Sequence, residues 1–124
     1  MSIDDSGEYS GTDVLEAMAE AKKYNNFLIE LINSRLNKDC NVVDFGAGLG
    51  TFAIEVERKC ATLVCVEPDL KQVSIIASKN LKVVADPASI ESRSIDFLYS
   101  LNVFEHIKDD REAMREVARL LKPN

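Results

Sequence analysis

Residues 42–52 read Val-Val-Asp-Phe-Gly-Ala-Gly-Leu-Gly-Thr-Phe, and this stretch decides how the rest of the chain is interpreted. β-Branched residues lead into three glycines at alternate positions, and an apolar segment follows. This order predicts a strand, a tight turn and a helix. Glycine lacks a Cβ and tolerates a positive φ, so such a turn lets the backbone approach a ligand closely. The helix start points N–H groups at the same place. We therefore expect a nucleotide-like ligand; a purely structural turn is the alternative.

The composition indicates an acidic, globular protein. The chain has 124 residues, of which 46% are hydrophobic and 29% charged, enough for one domain with a core. No run approaches the roughly 20 apolar residues that a membrane span needs, and residues 1–11 contain no apolar signal segment. We therefore expect a cytoplasmic protein that does not associate with membranes. The net charge of -6 makes a nucleic acid an unfavourable partner.

The cysteines do not indicate a metal site. Cys40, Cys60 and Cys65 form no C-x-x-C pair, and His106 is the one histidine of the sequence. We expect no bound metal and packed, reduced thiols.

Apolar runs and capping residues predict an alternation of strands and helices after a flexible tail at residues 1–11. The first helix opens at a capping box around Asp13, runs to about Leu36, and carries a packing face. That face comprises Val14, Met18, Ala21, Tyr24, Leu28, Leu31 and Ile32. Predicted strands cover residues 41–45, 62–66, 82–85 and 95–101. Predicted helices cover residues 51–59, a segment capped by Asp69, and a last segment that opens at Asp109 and stops at Pro123. In this last helix Met114, Val117, Leu120 and Leu121 are predicted to face inward.

The strands are continuous Val/Ile/Leu-rich runs, which is typical of a parallel sheet buried on both faces. Right-handed crossovers then predict an α/β fold with a doubly wound, mostly parallel sheet of strand order 3-2-1-4, preceded by an N-terminal helix. In such a sheet a ligand binds over the carboxyl ends of the strands.

Polar residues lie at the carboxyl ends of all four predicted strands or just after them. Glu67, after strand two, suits the two hydroxyls of a ribose, and Asp86, after strand three, suits an exocyclic amine such as that of adenine. Asp44 precedes the glycines and can attract a cationic group. Ser100, Asn102 and His106 lie at or after the end of strand four. Because four independent strand ends supply such groups, we expect one extended ligand across this edge.

Four segments carry a specific resemblance. Residues 43–50, Val-Asp-Phe-Gly-Ala-Gly-Leu-Gly, look like motif I of the Rossmann-like, class I S-adenosylmethionine-dependent methyltransferases. Residues 64–69 resemble their acidic second motif. Residues 100–107, Ser-Leu-Asn-Val-Phe-Glu-His-Ile, are similar to the strand-four segment of the small-molecule branch, and residues 120–124 are similar to the segment that follows its next helix.

The resemblance implies S-adenosylmethionine as cofactor and a small molecule as methyl acceptor. The donor-binding residues that it implies are Asp44, Gly46, Ala47, Gly48, Gly50, Glu67, Pro68, Asp86 and Asn102. Glu67 would hold the ribose hydroxyls, Asp86 would face the adenine, and the backbone of Asn102 would lie beside the methionine part. His106 is the candidate base, and a purely structural histidine is the alternative.

The family fold continues beyond the point where this sequence stops. We therefore expect an incomplete Rossmann-like methyltransferase fold, with a donor-binding domain over residues 12–124 that ends after the helix following strand four. Strand four would present a long apolar edge, and such an edge recruits a partner strand. This predicts a homodimer through strand four or the last helix.

Two other functions compete with methyl transfer. A nicotinamide-binding domain is disfavoured, because Gly-x-Gly-x-Gly is not the dinucleotide fingerprint Gly-x-Gly-x-x-Gly. A non-catalytic module that binds the donor, or that only associates with partners, stays open as the alternative.

Overall fold

Residues 11–101 and 110–123 are described by the computed structural model of the protein. The helices are α1 (Gly11–Asn33), α2 (Thr51–Glu57), α3 (Leu70–Ser78) and α4 (Asp110–Leu120). The strands are β1 (Asn41–Phe45), β2 (Thr62–Val66), β3 (Lys82–Val84) and β4 (Phe97–Tyr99), and a 3-10 turn covers Pro87–Ser89.

The four strands form one parallel sheet in the order β3-β2-β1-β4, which confirms the predicted topology. The apolar runs are buried on both faces, as neighbouring Val42 and Val43 show by both being fully buried. In the register of the sheet, Asp44 of β1 lies opposite Cys65 of β2 on one side and Tyr99 of β4 on the other. The sheet therefore places the last residues of its strands along one edge.

Helices cover the two faces of the sheet with separate apolar cores. One core joins Val42 and Cys65 of the sheet to Val56 of α2, Ile76 of α3 and Ile32 of α1. The other core packs α4 onto the opposite face, and its buried members are Val43, Phe45, Val66, Ile95, Ala113 and Leu120. The chain is thus doubly wound, as predicted.

The first helix differs from its prediction. It begins at Gly11, so the predicted tail loses its last residue to the helix, and Asp13 lies in the first turn instead of capping it. Residues 1–10 of the predicted tail lie outside the described residues. Most of the predicted packing face is exposed, including Val14, Met18 and Leu31, whereas Ile32 near the end of the helix is buried. A helix of 23 residues is about 34 Å long and extends past strands of five residues, so its N-terminal half does not reach the sheet.

Strands three and four are shorter than predicted. The third ends at Val84, because Asp86 caps the 3-10 turn with Oδ1 on the Ala88 N–H at 2.9 Å and the backbone leaves the sheet. The fourth covers Phe97–Tyr99 only, and Ile95 instead makes a parallel bridge to Leu121 after α4. The predicted long apolar edge is therefore partly paired by the chain itself.

Of the remaining helices, α3 begins directly after its predicted capping residue. Asp69 caps α3 as predicted, with Oδ1 accepting the Lys71 N–H at 2.9 Å. Helix α2 ends at Glu57, two residues earlier than predicted. The predicted cap of α4, Asp109, lies outside the described residues. Met114 of α4 is exposed, not inward-facing, because Ala113 at helical spacing from Leu120 takes the position against the sheet.

Candidate functional site

The glycine turn after β1 is tied to the end of β2. The N–H groups of Gly46 and Ala47 both donate to the Val66 carbonyl, at 2.7 and 3.1 Å. Lys79 at the end of α3 donates its Nζ to the Leu49 carbonyl at 2.6 Å. Two backbone hydrogen bonds and one from a lysine side chain thus hold the turn at the carboxyl ends of the strands, where the sequence predicts a ligand.

Glycine is required in this turn for two different reasons. Gly46, Gly48 and Gly50 have φ values of 80°, 61° and 79°, in a backbone region that residues other than glycine rarely adopt. A Cβ on Gly50, which caps α2, would lie 3.0 Å from Leu81 Cδ1, so this glycine serves packing. A Cβ on Gly48 would meet no protein atom within 4 Å. Gly48 therefore faces open space, where a ligand can lie against the backbone.

Glu67 links the two motifs of the edge. Its carboxylate accepts the Gly48 N–H on Oε1 at 2.8 Å and the Asp69 N–H on Oε2 at 2.9 Å, and its own N–H donates to the Val84 carbonyl. The side chain is buried. Two charge-assisted hydrogen bonds therefore hold this carboxylate in one orientation beside the glycine turn.

Asp44 lies in β1, two residues before the turn, and is paired with a residue that the sequence does not single out. Tyr99 of β4 donates its hydroxyl to Asp44 Oδ2 at 2.8 Å, and both side chains are buried. Burial, together with the nearby Glu67 charge, raises the pKa of Asp44 to about 7, against the opposing effect of the Tyr99 hydrogen bond. The signal that could have identified Tyr99 is the strand order, because order 3-2-1-4 makes β4 the neighbour of β1.

Asp86 follows β3 at the same edge and is exposed. The turn after it is held from α4 by Arg119, whose guanidinium donates to the carbonyls of Pro87 and Ile90, both at 2.8 Å. The same guanidinium pairs with Glu116 at 2.9 Å, on its own helix. Arg119 thus fixes the segment that carries Asp86, and no local sequence signal marks it for this function.

Several predicted residues have less specific surroundings. Ala47 is half-buried against the first core, and Pro68 is exposed. Ser100 follows β4, and its buried Oγ has no hydrogen-bond partner within the described part of the chain. Asn102 and His106 lie outside the described residues. The structure therefore bonds Glu67 directly to the glycine turn and places Asp44 close enough to Glu67 to be affected by its charge, with Asp86 on the adjoining turn.

The three cysteines are free thiols, as predicted, and Cys60 and Cys65 are buried. Burial raises the pKa of the Cys65 thiol to about 12, which makes it a poor nucleophile. Across residues 11–101 and 110–123, no cluster of His, Cys, Asp and Glu side chains is arranged to hold a metal ion. Over the same residues, no helix combines the length and the apolar character that crossing a membrane requires.

Comparison with known families identifies the type of domain that carries this candidate site. The profile of the methyltransferase domain family matches residues 43–124, about two thirds of the chain. The chain belongs to the methyltransferase domain family. The match begins one residue before Asp44 and so includes the glycine turn, Glu67 and Asp86. No curated protein sequence matches the chain significantly.

Solved structures share the fold of this methyltransferase domain. The YcgJ protein of Bacillus subtilis superposes with a TM-score of 0.69 at 24% identity, over 79% of this chain and 45% of that protein. A candidate sarcosine dimethylglycine methyltransferase of Galdieria sulphuraria gives a TM-score of 0.70 at 23% identity, over 93% of this chain and 49% of that protein.

An S-adenosylmethionine-dependent methyltransferase of Aquifex aeolicus gives a TM-score of 0.67 at 16% identity, over 80% of this chain and 58% of that protein. The chain thus spans about half the length of these three proteins. The likeness shows a common Rossmann-like fold.

Proposed function

We propose that the chain binds S-adenosylmethionine at the carboxyl edge of its sheet, as the donor-binding domain of an enzyme that methylates a small molecule. The family match supports methyl transfer as the type of reaction. The observation that carries the donor site is Glu67, whose buried carboxylate is fixed beside the glycine turn by two backbone N–H groups.

The residues present fit a nucleoside with an amino-acid portion. A carboxylate offers about four acceptor positions, and each Glu67 oxygen uses one of them for a described backbone N–H. A position on each oxygen is thereby suited to one ribose hydroxyl. Gly48 leaves open space beside this carboxylate, and the buried Asp44 carboxylate suits the ammonium group of the methionine portion.

The other predicted donor contacts extend the same site. Asp86 would accept a hydrogen bond from the exocyclic amine of adenine. Its Oδ1 accepts the Ala88 N–H and so fixes the carboxylate, and the side chain is exposed at the ends of the strands. Gly46, Ala47, Gly50 and Pro68 would supply backbone and surface around it. Asn102 would contact the methionine portion, and this stays a prediction outside the described residues.

The chemistry asked of the chain is binding and orientation. S-adenosylmethionine supplies, when bound, a methyl group on a positively charged sulfur. The glycine turn, Glu67 and Asp44 would hold the donor in one pose, and proximity to the acceptor supplies much of the rate enhancement in reactions of this type. His106 stays the predicted base for the acceptor. The acidic net charge of -6 supports a small molecule over a nucleic acid as that acceptor.

Calorimetric titration of the chain with S-adenosylmethionine and with S-adenosylhomocysteine tests the donor site. Glu67→Gln keeps the size of the side chain, but its amide group cannot accept at both ends. Hydrogen bonds to a charged group contribute about 1.5–3 kcal/mol, so we expect about tenfold to a hundredfold weaker binding. Glu91→Gln, the same change at an exposed loop residue, is expected to bind as the wild type does.

Two results would contradict the proposal. One is a folded wild-type chain that binds neither ligand; the other is a Glu67→Gln variant that binds as tightly as the wild type. Thermal unfolding of each variant, followed by circular dichroism, separates a lost contact from a lost fold.

A non-catalytic, donor-binding module is the second candidate function. It is supported by the choice of residues, since Asp44, the glycine turn and Glu67 are all proposed for the donor and none of them is proposed for an acceptor. Incubation with labelled S-adenosylmethionine and a panel of small acceptors distinguishes the two: methylated product supports the enzyme, and saturable donor binding without any product supports the module.

The remaining expectations stay predictions. Residues 12–124 are proposed as one donor-binding domain, in a cytoplasmic protein. The homodimer is proposed to form through β4 or through the last helix. Because β4 has three residues and is shorter than predicted, the exposed side of α4 that carries Met114 is the second candidate surface. Sedimentation velocity at high protein concentration checks it, and a single monomeric species would contradict it.

A further inference from the structure

Asp44 and Tyr99 form a buried, hydrogen-bonded pair between neighbouring strands. They are partners in the register of β1 and β4, and the Tyr99 hydroxyl donates to Asp44 Oδ2 at 2.8 Å. Only 4% of Asp44 and 6% of Tyr99 is exposed. Burial of a carboxylate is unfavourable unless hydrogen bonds or an opposite charge compensate it. The Tyr99 hydroxyl supplies part of that compensation, so a bound cation would stabilise the buried carboxylate further.

The surroundings of Asp44 favour its protonated form in the free chain. Burial raises its pKa to about 7, the Tyr99 hydrogen bond lowers it, and Glu67 after β2 raises it. Cys65 on β2 and Tyr99 on β4 also face Asp44, and burial raises the pKa of both groups, which keeps them neutral. Among the described residues, the charge that acts on Asp44 is therefore another acid. A pKa of about 7 places the change between the protonated and ionised forms of Asp44 near neutral pH.

We propose that Tyr99 is a positioning residue of the donor site, which holds the Asp44 carboxylate in place for the donor's ammonium group, so that donor binding releases a proton from Asp44. The inference rests on the proposed function, because the ammonium group belongs to S-adenosylmethionine. The proton leaves Asp44 for the solvent, and the ammonium group replaces it as the positive partner of the carboxylate. No covalent bond to the donor forms or breaks in this step.

This coupling makes donor affinity depend on pH. A cation that binds the ionised carboxylate gains affinity as the pH rises through the pKa of Asp44 in the free chain. With that pKa at about 7, the affinity rises roughly twentyfold from about pH 5.5 to about pH 7.5. The donor's own ammonium group is half deprotonated only at about pH 8, so it stays mostly protonated and the change over this range comes mainly from the protein.

Calorimetry with S-adenosylhomocysteine measures both quantities without any enzymatic turnover. Titrations at each pH in two buffers of different ionisation enthalpy give the affinity and the number of protons released. We expect close to one proton per ligand at about pH 5.5 and about half a proton at about pH 7.

Tyr99→Phe removes the hydroxyl and keeps the ring. The hydrogen bond that favours the charged form is then lost, so protonation competes more strongly with the ligand. We expect the loss of affinity to be larger at about pH 5.5 than at about pH 7.5. A merely structural defect would lower the affinity by the same factor at every pH. Asp44→Asn is the second variant, and it should bind weakly with neither pH dependence nor proton release over the range.

The outcomes separate this inference from the proposed function. Wild-type binding that is independent of pH and releases no proton overturns the inference and leaves the donor site standing. The same holds if Tyr99→Phe leaves the pH profile unchanged. A folded chain that binds no S-adenosylhomocysteine at any pH overturns both. If Tyr99→Phe does not fold, the wild type and Asp44→Asn still decide whether Asp44 is the group that releases the proton.

Discussion

Replacement of Asp44 by asparagine should stabilise the chain most at high pH. The folded state raises the pKa of this carboxyl from 3.8 to about 7, mainly through burial, so the folded chain holds the proton more tightly than the unfolded chain. The contribution of Asp44 to stability is therefore greatest at low pH, and it is lost as the pH rises from about 4 through about 7. Asparagine resembles the protonated acid and has no such dependence.

The magnitude follows from the two pKa values. One pKa unit corresponds to about 1.4 kcal/mol, so ionising Asp44 in the folded state costs about 4 kcal/mol at about pH 8. At about pH 5.5, where the folded acid is mostly protonated and the unfolded acid is ionised, the penalty is about 2 kcal/mol. The free energy of unfolding of Asp44→Asn minus that of the wild type should therefore grow by about 2 kcal/mol between these pH values. The absolute difference is less informative, because an unpaired asparagine amide costs about 1–3 kcal/mol at every pH.

Urea unfolding followed by circular dichroism, at intervals between pH 5.5 and 8, measures this difference. Equal m-values for the two proteins show that the denatured states are comparable. Asp39→Asn, at an exposed acid in the turn before β1, is the matched control and should run parallel to the wild type. A wild-type curve parallel to that of Asp44→Asn over the whole range would refute the reasoning, because burial would then impose no penalty on the charge.

Two further predictions concern the segments around the site. Arg119→Ala leaves two backbone carbonyls without their guanidinium donor, so we expect the free energy of unfolding to fall by about 1–3 kcal/mol and amide hydrogen exchange in the turn after β3 to become faster. The control Arg58→Ala removes an exposed ion pair and should change the free energy of unfolding by less than about 1 kcal/mol. Gly50→Ala should destabilise the fold more than Gly48→Ala in urea unfolding, because only the former crowds Leu81. Gly48→Ala should instead weaken S-adenosylhomocysteine binding more than Gly50→Ala does, relative to the stability that each variant loses. If the two variants lose equal stability and equal affinity, the separate roles of the two glycines are contradicted.

Much of the fold could be predicted because its signals are local. Apolar runs between capping residues such as Asp69 mark where strands end and helices begin, and a parallel sheet then places those ends together. The α1 prediction was wrong about burial, since an apolar face shows what a helix could pack against but not whether its neighbours reach it. Met114 illustrates the same limit at finer scale, because a shift of one residue turns the side chain by 100° around the helix axis.

The order of the strands and helices, the glycine turn and the position of Glu67 and Asp86 at strand ends follow from the sequence by itself. These features depend on residues that are close together in the sequence, and such residues stay close in any fold that contains the same strands and helices. The partners of these residues follow only from the tertiary structure. Tyr99 is 55 positions away from Asp44 in the chain, and Arg119 is 32 positions away from Pro87. Register and helix docking set which distant side chains meet, and these depend on the packing of the whole sheet.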